Sequence, residues 1–178
     1  HYHIPRICFV NKMDRVGVDF ERCLDMIREK LHARPLPLQI PLGLEDAHRG
    51  VIDLVTMKAL TWTDELGMEM RDVEMPADLA DKAKQYRDAL LETVAENDDA
   101  VMHKYLEGIE PEEQEIRNVI RKLTAETAVF PVLCGSALRN KGVQPVLDAI
   151  VDYLPSPRDI KPVEGHDPKN TEEALTRE

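Results

Sequence analysis

The sequence predicts an α/β protein whose mostly parallel sheet is interrupted by an inserted segment. Two short apolar runs, at residues 6–10 and 129–134, have the composition of buried strands, and each precedes an amphipathic helical pattern. Strand–helix units of this kind build parallel sheets. More than a hundred residues separate the two runs, whereas one crossover unit needs only about 30. An additional α+β subdomain is therefore expected between them.

The first half of the chain is predicted to contain one strand, one helix and several shorter strands. The strand at 6–10 leads into a polar turn, and Asp19 has the side chain and position of a helix N-cap. The following helix repeats apolar residues on one face, namely Phe20, Cys23, Leu24, Ile27 and Leu31. Beyond it the sequence predicts an extended segment at 35–41 and strands near 51–55, 60–63 and 71–75.

The second half is predicted to contain four helices and one strand. The longest helix follows Pro76, a short one covers 98–106, and a third begins near Pro111. The third helix is expected to bury Ile116, Val119, Ile120 and Leu123. The last helix, near 143–154, is expected to carry on one face Val143, Val146, Leu147, Ile150 and Val151. Residues 158–178 lack apolar periodicity and are predicted to form a linker or tail.

Charge is concentrated in one part of the chain. The formal net charge of -11 argues against extensive direct contact with nucleic-acid phosphates. Between Pro76 and Glu115 there are twelve Asp and Glu against four Lys and Arg, so this stretch carries eight of the eleven net charges. Both a solvated helical surface and a docking face for a basic partner agree with this composition.

Cysteine usage and hydropathy indicate a cytoplasmic protein. The three cysteines, Cys8, Cys23 and Cys134, are far apart and form no C-x-x-C pair, which favours reduced thiols over a metal or redox site. The apolar runs are too short to span a bilayer. The first residues lack the basic segment followed by an apolar segment that is typical of a signal peptide. No membrane partner is therefore expected.

The strongest chemical signal is the turn Asn11-Lys12-Met13-Asp14 after the first strand. Open α/β sheets bind ligands at the carboxyl ends of their strands. The carboxylate of Asp14 could accept both N1–H and the N2 amino group of guanine as a charge-assisted pair. Adenine lacks both donors and would leave the carboxylate unpaired, at a cost of about 1–3 kcal/mol. The Asn11 amide could bridge to the base or join two loops, and the Lys12 stem could cover the ring.

A second turn follows the second predicted strand, at Gly135-Ser136-Ala137-Leu138. Small residues there would let the backbone N–H groups of Ser136 and Ala137 approach a base oxygen. The Ser136 hydroxyl could hold the base-reading carboxylate in orientation. Each turn alone is also typical of an ordinary strand–helix connection. Together, at neighbouring strand ends, they favour a base pocket.

The wording of both turns resembles elongation factor G, a translational GTPase. Asn11–Asp14 resembles the guanine-specificity motif of GTPases, and Ser136–Leu138 resembles the loop that closes over the base. The surrounding segments 6–14, 135–144 and 152–157 resemble that family more specifically. The resemblance implies the carboxyl-terminal part of a P-loop GTPase-type G domain interrupted by an α+β insertion. It divides the chain into G-domain parts at 1–34 and 128–157, an inserted subdomain at 35–127 and a tail at 158–178.

The resemblance also implies function and partners. The intact protein would bind and hydrolyse GTP to drive movement of tRNA and messenger RNA on the ribosome. Six residues would read the base: Asn11, Lys12, Asp14, Ser136, Ala137 and Leu138. In that family the insertion contacts the basic stalk protein of the large ribosomal subunit, which favours a docking role for the acidic helices. Only the guanine moiety of GTP or GDP would be held here, with little direct nucleic-acid contact.

Parts of a complete GTPase are missing from these residues. The phosphate-binding pattern G-x-x-x-x-G-K-[ST] does not occur. Asp64-Glu65-Leu66-Gly67 matches the letters of the γ-phosphate-sensing motif D-x-x-G, but it lies inside the predicted insertion and is interpreted as a chance match. We therefore expect that the chain is a middle slice of a larger protein and is inactive alone. Catalytic residues and the ligands of Mg²⁺ would lie outside it.

Two alternatives stay open at this point. A release factor or a ribosome-protection GTPase would share the guanine motif, although the resemblance through the insertion favours elongation factor G. The chain could instead be a protein-binding module that works through its acidic helices, with the two turns no longer used.

Overall fold

The computed structural model describes residues 4–64, 66–156 and 159, together with the backbone of 163–167 and 170–177. The helices and strands follow in this order: β1 (Cys8–Val10), α1 (Phe20–Leu31), β2 (Pro35–Pro37), β3 (Gln39–Leu42), β4 (Gly50–Asp53), β5 (Lys58–Trp62), β6 (Met70–Val73), α2 (Ala77–Ala95), α3 (Asp99–Glu107), α4 (Glu113–Ala125), β7 (Phe130–Cys134), α5 (Val143–Tyr153), β8 (Val163–Asp167) and β9 (Asn170–Arg177).

A parallel sheet joins strands from the first and last parts of the chain, β1 and β2 with β7. Its strand order is β1-β7-β2, with β7 in the centre and parallel to both neighbours. Four of the five β7 residues are buried, as expected for a central strand covered on both faces. The predicted α/β class with a mostly parallel sheet is confirmed.

The first helix is capped as the sequence predicts. The Asp19 side chain accepts a hydrogen bond from the Arg22 N–H at 2.9 Å and so satisfies one free donor of the first turn. Phe20 and Leu24 are buried on the predicted face. Leu31 was expected on that face but is 69% exposed, because the helix ends there and His32 turns into the left-handed region.

Leu38 connects the parallel sheet to a second, antiparallel one. Its N–H donates to the Val132 carbonyl of β7, while its carbonyl accepts from the Leu54 N–H. The second sheet has the order β3-β4-β5-β6. Sheet membership therefore puts the change between the two parts at Leu38, whereas the sequence boundary at residue 35 assigns β2 to the insertion.

The helices of the middle region pack through apolar faces and one buried arginine. The predicted face of α4 is confirmed, since Ile116, Val119, Ile120 and Leu123 are all buried. Arg87 on α2 is 5% exposed. Its Nη1 donates to the carbonyls of Leu54 and Val55 at 2.7 and 2.9 Å. Its Nη2 donates to Glu110 at 2.9 Å, which ties α2 to the end of β4 and to the α3–α4 connection.

The last helix turns part of its apolar face away from the core. Its buried residues are Pro145, Ala149 and Tyr153. Leu147, Ile150 and Val151, which the apolar periodicity places on one face, are 58%, 43% and 74% exposed. The end of the helix is held by α4, where Arg121 donates to the carbonyls of Val151 and Asp152.

The end of the chain also differs from its prediction. Residues 163–167 and 170–177 form an antiparallel hairpin of β8 and β9, where the sequence predicts a tail without regular structure. A hairpin is a local structure whose backbone groups satisfy one another, so it needs no apolar period that a sequence reading would detect.

Candidate nucleotide-binding site

The register of the parallel sheet brings the two predicted turns side by side. Val10, the last residue of β1, pairs with Cys134, the last residue of β7. Gly135 continues the pairing, because its N–H donates to the Val10 carbonyl at 3.1 Å and its carbonyl accepts from the Met13 N–H at 3.0 Å. The two turns therefore leave the same edge of the sheet, where open α/β sheets bind ligands.

The turn after β1 is anchored by Met13, whose side chain is buried in the core. Its side chain is 0% exposed, and its carbonyl accepts from the Glu45 N–H at 2.9 Å. Lys12, just before it, has a φ of 67°, a left-handed conformation that costs a non-glycine residue about 1–3 kcal/mol. The same reversal holds the Lys12 carbonyl at 3.0 Å from the Arg15 N–H. Lys12 is therefore held on the exposed side of a firmly seated turn.

Asn11 links the two turns directly. Its Oδ1 accepts hydrogen bonds from the Lys12 N–H at 2.8 Å and from the Ala137 N–H at 3.0 Å. The second bond connects residues that are 126 positions apart. The sequence interpretation that the Asn11 amide ties neighbouring loops together thus has a direct counterpart in the structure.

The Asp14 carboxylate lies beside the second turn. Its side chain is 8% exposed, and Oδ2 is 3.2 Å from Arg139 Nε. The Ser136 hydroxyl lowers the pKa of Asp14, and the charges of Arg139 and Arg15 act in the same direction against the opposing effect of burial. The carboxylate is thus held in its ionised form, which is the form that accepts two hydrogen bonds from a base edge.

The loop after β7, residues 135–142, is here called the base-closing loop. It is closed by two backbone hydrogen bonds, from Ser136 N–H to the Lys141 carbonyl at 2.9 Å and from Lys141 N–H to the Ser136 carbonyl at 3.0 Å. The Ser136 N–H is therefore engaged within the loop, and the predicted role for it as a donor to the base needs correction. The hydroxyl is what Ser136 can offer: its Oγ is buried and makes no hydrogen bond of standard geometry with the described residues.

The site is an open edge of the sheet with apolar and aliphatic cover at its margins. Leu138 is 85% exposed, and Lys12 is exposed on the other turn. Between them lie the Asp14 carboxylate, the Asn11 amide and the Ser136 hydroxyl. This combination fits the edge of a purine base that carries adjacent donors and one acceptor oxygen. The Ala137 N–H, which was predicted to face the base, donates to Asn11 instead.

Comparison with known proteins agrees with this geometry. Residues 1–156 match the family described as the elongation factor Tu GTP binding domain. The chain belongs to that family. The family is one of GTPases.

One solved structure is similar to most of this chain. A crystal structure of a protein from Thermus thermophilus superposes with a TM-score of 0.75 at 30% sequence identity. The match covers 89% of this chain and 24% of that one. The chain thus spans about a quarter of the length of the protein it resembles.

Several residues near this candidate site were not singled out by their sequence. Arg139 faces Asp14, and the Glu45 carboxylate accepts from the Gly17 N–H at 2.7 Å beside the first turn. Asn140 and Gln144 contact the loop between β5 and β6. Arg139, Asn140 and Gln144 lie in the segment 135–144 whose wording carried the resemblance, so their positions were visible, but their contacts depend on the three-dimensional arrangement.

The described residues contain neither a candidate metal centre nor a candidate membrane-spanning helix. No group of three or more His, Cys, Asp or Glu side chains in that part of the chain is arranged to hold a metal ion. Among the helices described, none is both long enough and apolar enough to cross a bilayer.

Proposed function

We propose that this chain recognises the guanine base of GTP and GDP through the two joined turns. Asp14 accepts from N1–H and N2, the Asn11 amide nitrogen faces the acceptor atoms of the base with Ala137 beside it, and Lys12 and Leu138 cover the two ring faces. The observation that carries the proposal is the hydrogen bond from Ala137 N–H to Asn11 Oδ1, 3.0 Å long. It supports a single pocket because it brings both motifs within reach of one base.

We propose further that the intact protein is a ribosomal GTPase of the elongation factor G type, which acts in the cytoplasm. GTP binding and hydrolysis would drive movement of tRNA and messenger RNA. This is supported by the segment wording at 6–14 and 135–144 and by the long insertion between the turns. The predicted division into 1–34, 35–127, 128–157 and 158–178 belongs to this proposal. The phosphate-binding residues, the Mg²⁺ ligands and the hydrolytic residues would lie outside this chain.

The acidic helices are proposed to contact the basic stalk protein of the large ribosomal subunit. Asp81, Asp88 and Glu92 on α2 are exposed, as is Asp99 at the start of α3. Exposed acid of this density favours association with a basic partner and makes that association sensitive to salt. A module that binds only protein through these helices is the second candidate function.

Titration with GDP and ADP separates the two functions. The chain is expected to bind GDP weakly and in preference to ADP, and Asp14→Ala should reduce that preference by about tenfold or more, since an unpaired or missing carboxylate changes base binding by about 1–3 kcal/mol. Asp25→Ala, which removes an exposed carboxylate on α1, is the matched control. Equal binding of both nucleotides, or of neither, would rule out guanine recognition by this chain and favour the protein-binding module.

The stalk contact has its own test. Binding of the purified stalk protein should weaken as salt is raised and should be lost when Asp81, Asp88 and Glu92 are replaced by Lys. Replacing Asp25 and Glu29 on α1 by Lys is the control on another exposed helix, with two charge reversals against three on α2. If both sets of substitutions act equally, net charge rather than a docking surface explains the association.

A further inference from the structure

Two exposed loops from different sheets are joined by side-chain hydrogen bonds at the edge of the base-closing loop. Asn140 Nδ2 donates to the carbonyls of Leu66 and Gly67 at 3.2 and 3.0 Å. Gln144, in the first turn of α5, donates from Nε2 to the same Gly67 carbonyl at 2.7 Å. These acceptors lie in the β5–β6 turn, which is defined here as residues 63–64 and 66–69. The insertion therefore contacts the base-closing loop through polar groups.

The contact is anchored inside the antiparallel sheet. Gln144 Oε1 accepts from Trp62 Nε1 at 3.1 Å, and Trp62, at the end of β5, is 6% exposed. Gln144 thus uses both ends of its amide, one toward the buried indole and one toward the turn. An amide whose donor and acceptor are both engaged is fixed in orientation, so the start of α5 is held to the insertion.

Gly67 has the conformation and the space that this approach requires. Its φ is +65°, and a Cβ at this position would lie 2.6 Å from the Arg139 carbonyl oxygen and 2.8 Å from Asn140 Cβ. Any side chain would therefore push the β5–β6 turn away from the base-closing loop. The letters Asp64–Gly67 that resembled a phosphate sensor serve a different purpose, since the Asp64 carboxylate accepts from the Met68 and Glu69 N–H groups and shapes the turn.

Core packing does not account for this contact. Leu66 and Met68 on either side of Gly67 are 77% and 70% exposed. Asn140 sits at the reversal of the base-closing loop with a φ of 52°, next to Arg139, which faces Asp14. The loop's own backbone bonds set its shape, and the bond from Ala137 to Asn11 ties it to the first turn. The bonds from Asn140 and Gln144 supply a second constraint, from the β5–β6 turn.

We infer that Asn140, Gln144 and Gly67 are positioning residues for base recognition, through which the insertion holds the base-closing loop over the nucleotide. The inference rests on the proposed guanine recognition. A loop already ordered loses less conformational freedom when a base binds. Releasing the loop should therefore weaken nucleotide binding without altering the carboxylate that reads the base.

GDP and IDP distinguish positioning from direct reading. Hypoxanthine keeps the N1–H and the exocyclic carbonyl oxygen of guanine. It lacks the N2 amino group from which Asp14 is proposed to accept a hydrogen bond. Release of the base-closing loop should lower the affinities for GDP and for IDP by the same factor, about 3- to 10-fold for the loss of one or two hydrogen bonds. Asp14→Ala should instead remove most of the difference between the two nucleotides.

The experiment uses the intact protein that carries this chain. Asn140→Gly removes the amide but keeps a residue that adopts positive φ readily. Gln144→Glu keeps the acceptor for Trp62 Nε1 and removes the donor to Gly67. Asn118→Ala, on the exposed face of α4, is the control. GDP and IDP affinities are measured for each variant, together with amide hydrogen exchange of residues 130–142 in the nucleotide-free protein.

The expected result is a parallel loss of GDP and IDP affinity in the two loop variants, with faster exchange confined to 135–142 and unchanged exchange in β7. Affinities within twofold of the parent protein, or unchanged loop exchange, would overturn the inference. Faster exchange throughout β7 would also overturn it, because the residues would then be supporting the fold in general. If the parent protein fails to bind GDP, the proposed function fails, while the nucleotide-free exchange still reports whether the two loops are coupled.

Discussion

Different interactions stabilise the candidate nucleotide-binding edge and the helical part of the insertion. At the edge, Asn11 and the base-closing loop are joined mostly by backbone groups and one exposed amide. In the insertion, the buried Arg87 and the apolar face of α4 make the connections. Removal of a buried polar anchor costs much more stability than loss of an exposed hydrogen bond. Stability and base recognition should therefore be separable in this chain.

The largest effect on stability is expected at Arg87. Arg87→Met keeps most of the aliphatic stem but leaves the carbonyls of Leu54 and Val55 without their donor. We expect a loss of about 2–4 kcal/mol in the free energy of unfolding, because two buried acceptors become unsatisfied. The ion pair with Glu110 contributes little to this figure, since the Glu110 side chain is 70% exposed. Urea denaturation followed by circular dichroism measures the change.

Arg28→Met is the matched control for that substitution. Arg28 also pairs with a carboxylate, that of Asp25, but both side chains are more than half exposed, so the loss should stay below about 0.5 kcal/mol. Below the unfolding transition, Arg87→Met should leave the preference for GDP over ADP unchanged. A variant that changes base preference without losing stability would break the separation between the two regions.

An intermediate effect is expected at Asn11, with the opposite distribution between stability and binding. Asn11→Ala removes the acceptor shared by the Lys12 and Ala137 N–H groups. Since both groups lie at an exposed edge, stability should fall by only about 1 kcal/mol. GDP affinity should fall about tenfold, because the two turns are no longer held at a common spacing. Isothermal titration and a thermal melt of the same sample measure both quantities.

Asn11→Asp sharpens this test. It keeps an oxygen acceptor for the two N–H groups but loses the amide donor, so stability should be retained while GDP affinity stays reduced. Equal loss of GDP affinity and of stability in both variants would show that Asn11 acts only on the fold.

Local signals in the sequence were sufficient for most of this architecture. The cap at Asp19, the buried face of α4 and the two turns each depend on residues close together in the chain. The turns could be placed at one edge because parallel strands carry their carboxyl ends together. The hydrogen bond between Asn11 and Ala137 is the consequence of that topology.

The failures share a different physical cause. An apolar period identifies a helix but not which surface will cover it, and α5 shows this with Leu147 and Val151 exposed. The contacts of Arg139 and Asn140 join segments far apart in the chain, and β8 and β9 pair with each other as a hairpin. In each case the deciding contact is between elements, where periodicity carries no information.

The smallest expected effect is a pH dependence that originates at His48, under the first turn. His48 is 3% exposed, with Nδ1 3.2 Å from the Gly43 carbonyl. Burial lowers its pKa from 6.5, the charges of Lys141 and Arg139 act in the same direction, and the Gly43 carbonyl and Asp14 oppose them. Below pH 6.5 the unfolded chain therefore binds a proton more readily than the folded one.

The stability contributed by neutral His48 should accordingly be complete above pH 6.5 and should decline as the pH falls below it. His48→Gln should remove this component, and the difference between the two proteins in urea denaturation at pH 7.5 and pH 5.5 measures it. His32→Gln, at the exposed end of α1, is the control substitution. If the stability of His48→Gln falls with pH as much as that of the parent protein, His48 does not cause the decline and the titrating groups lie elsewhere.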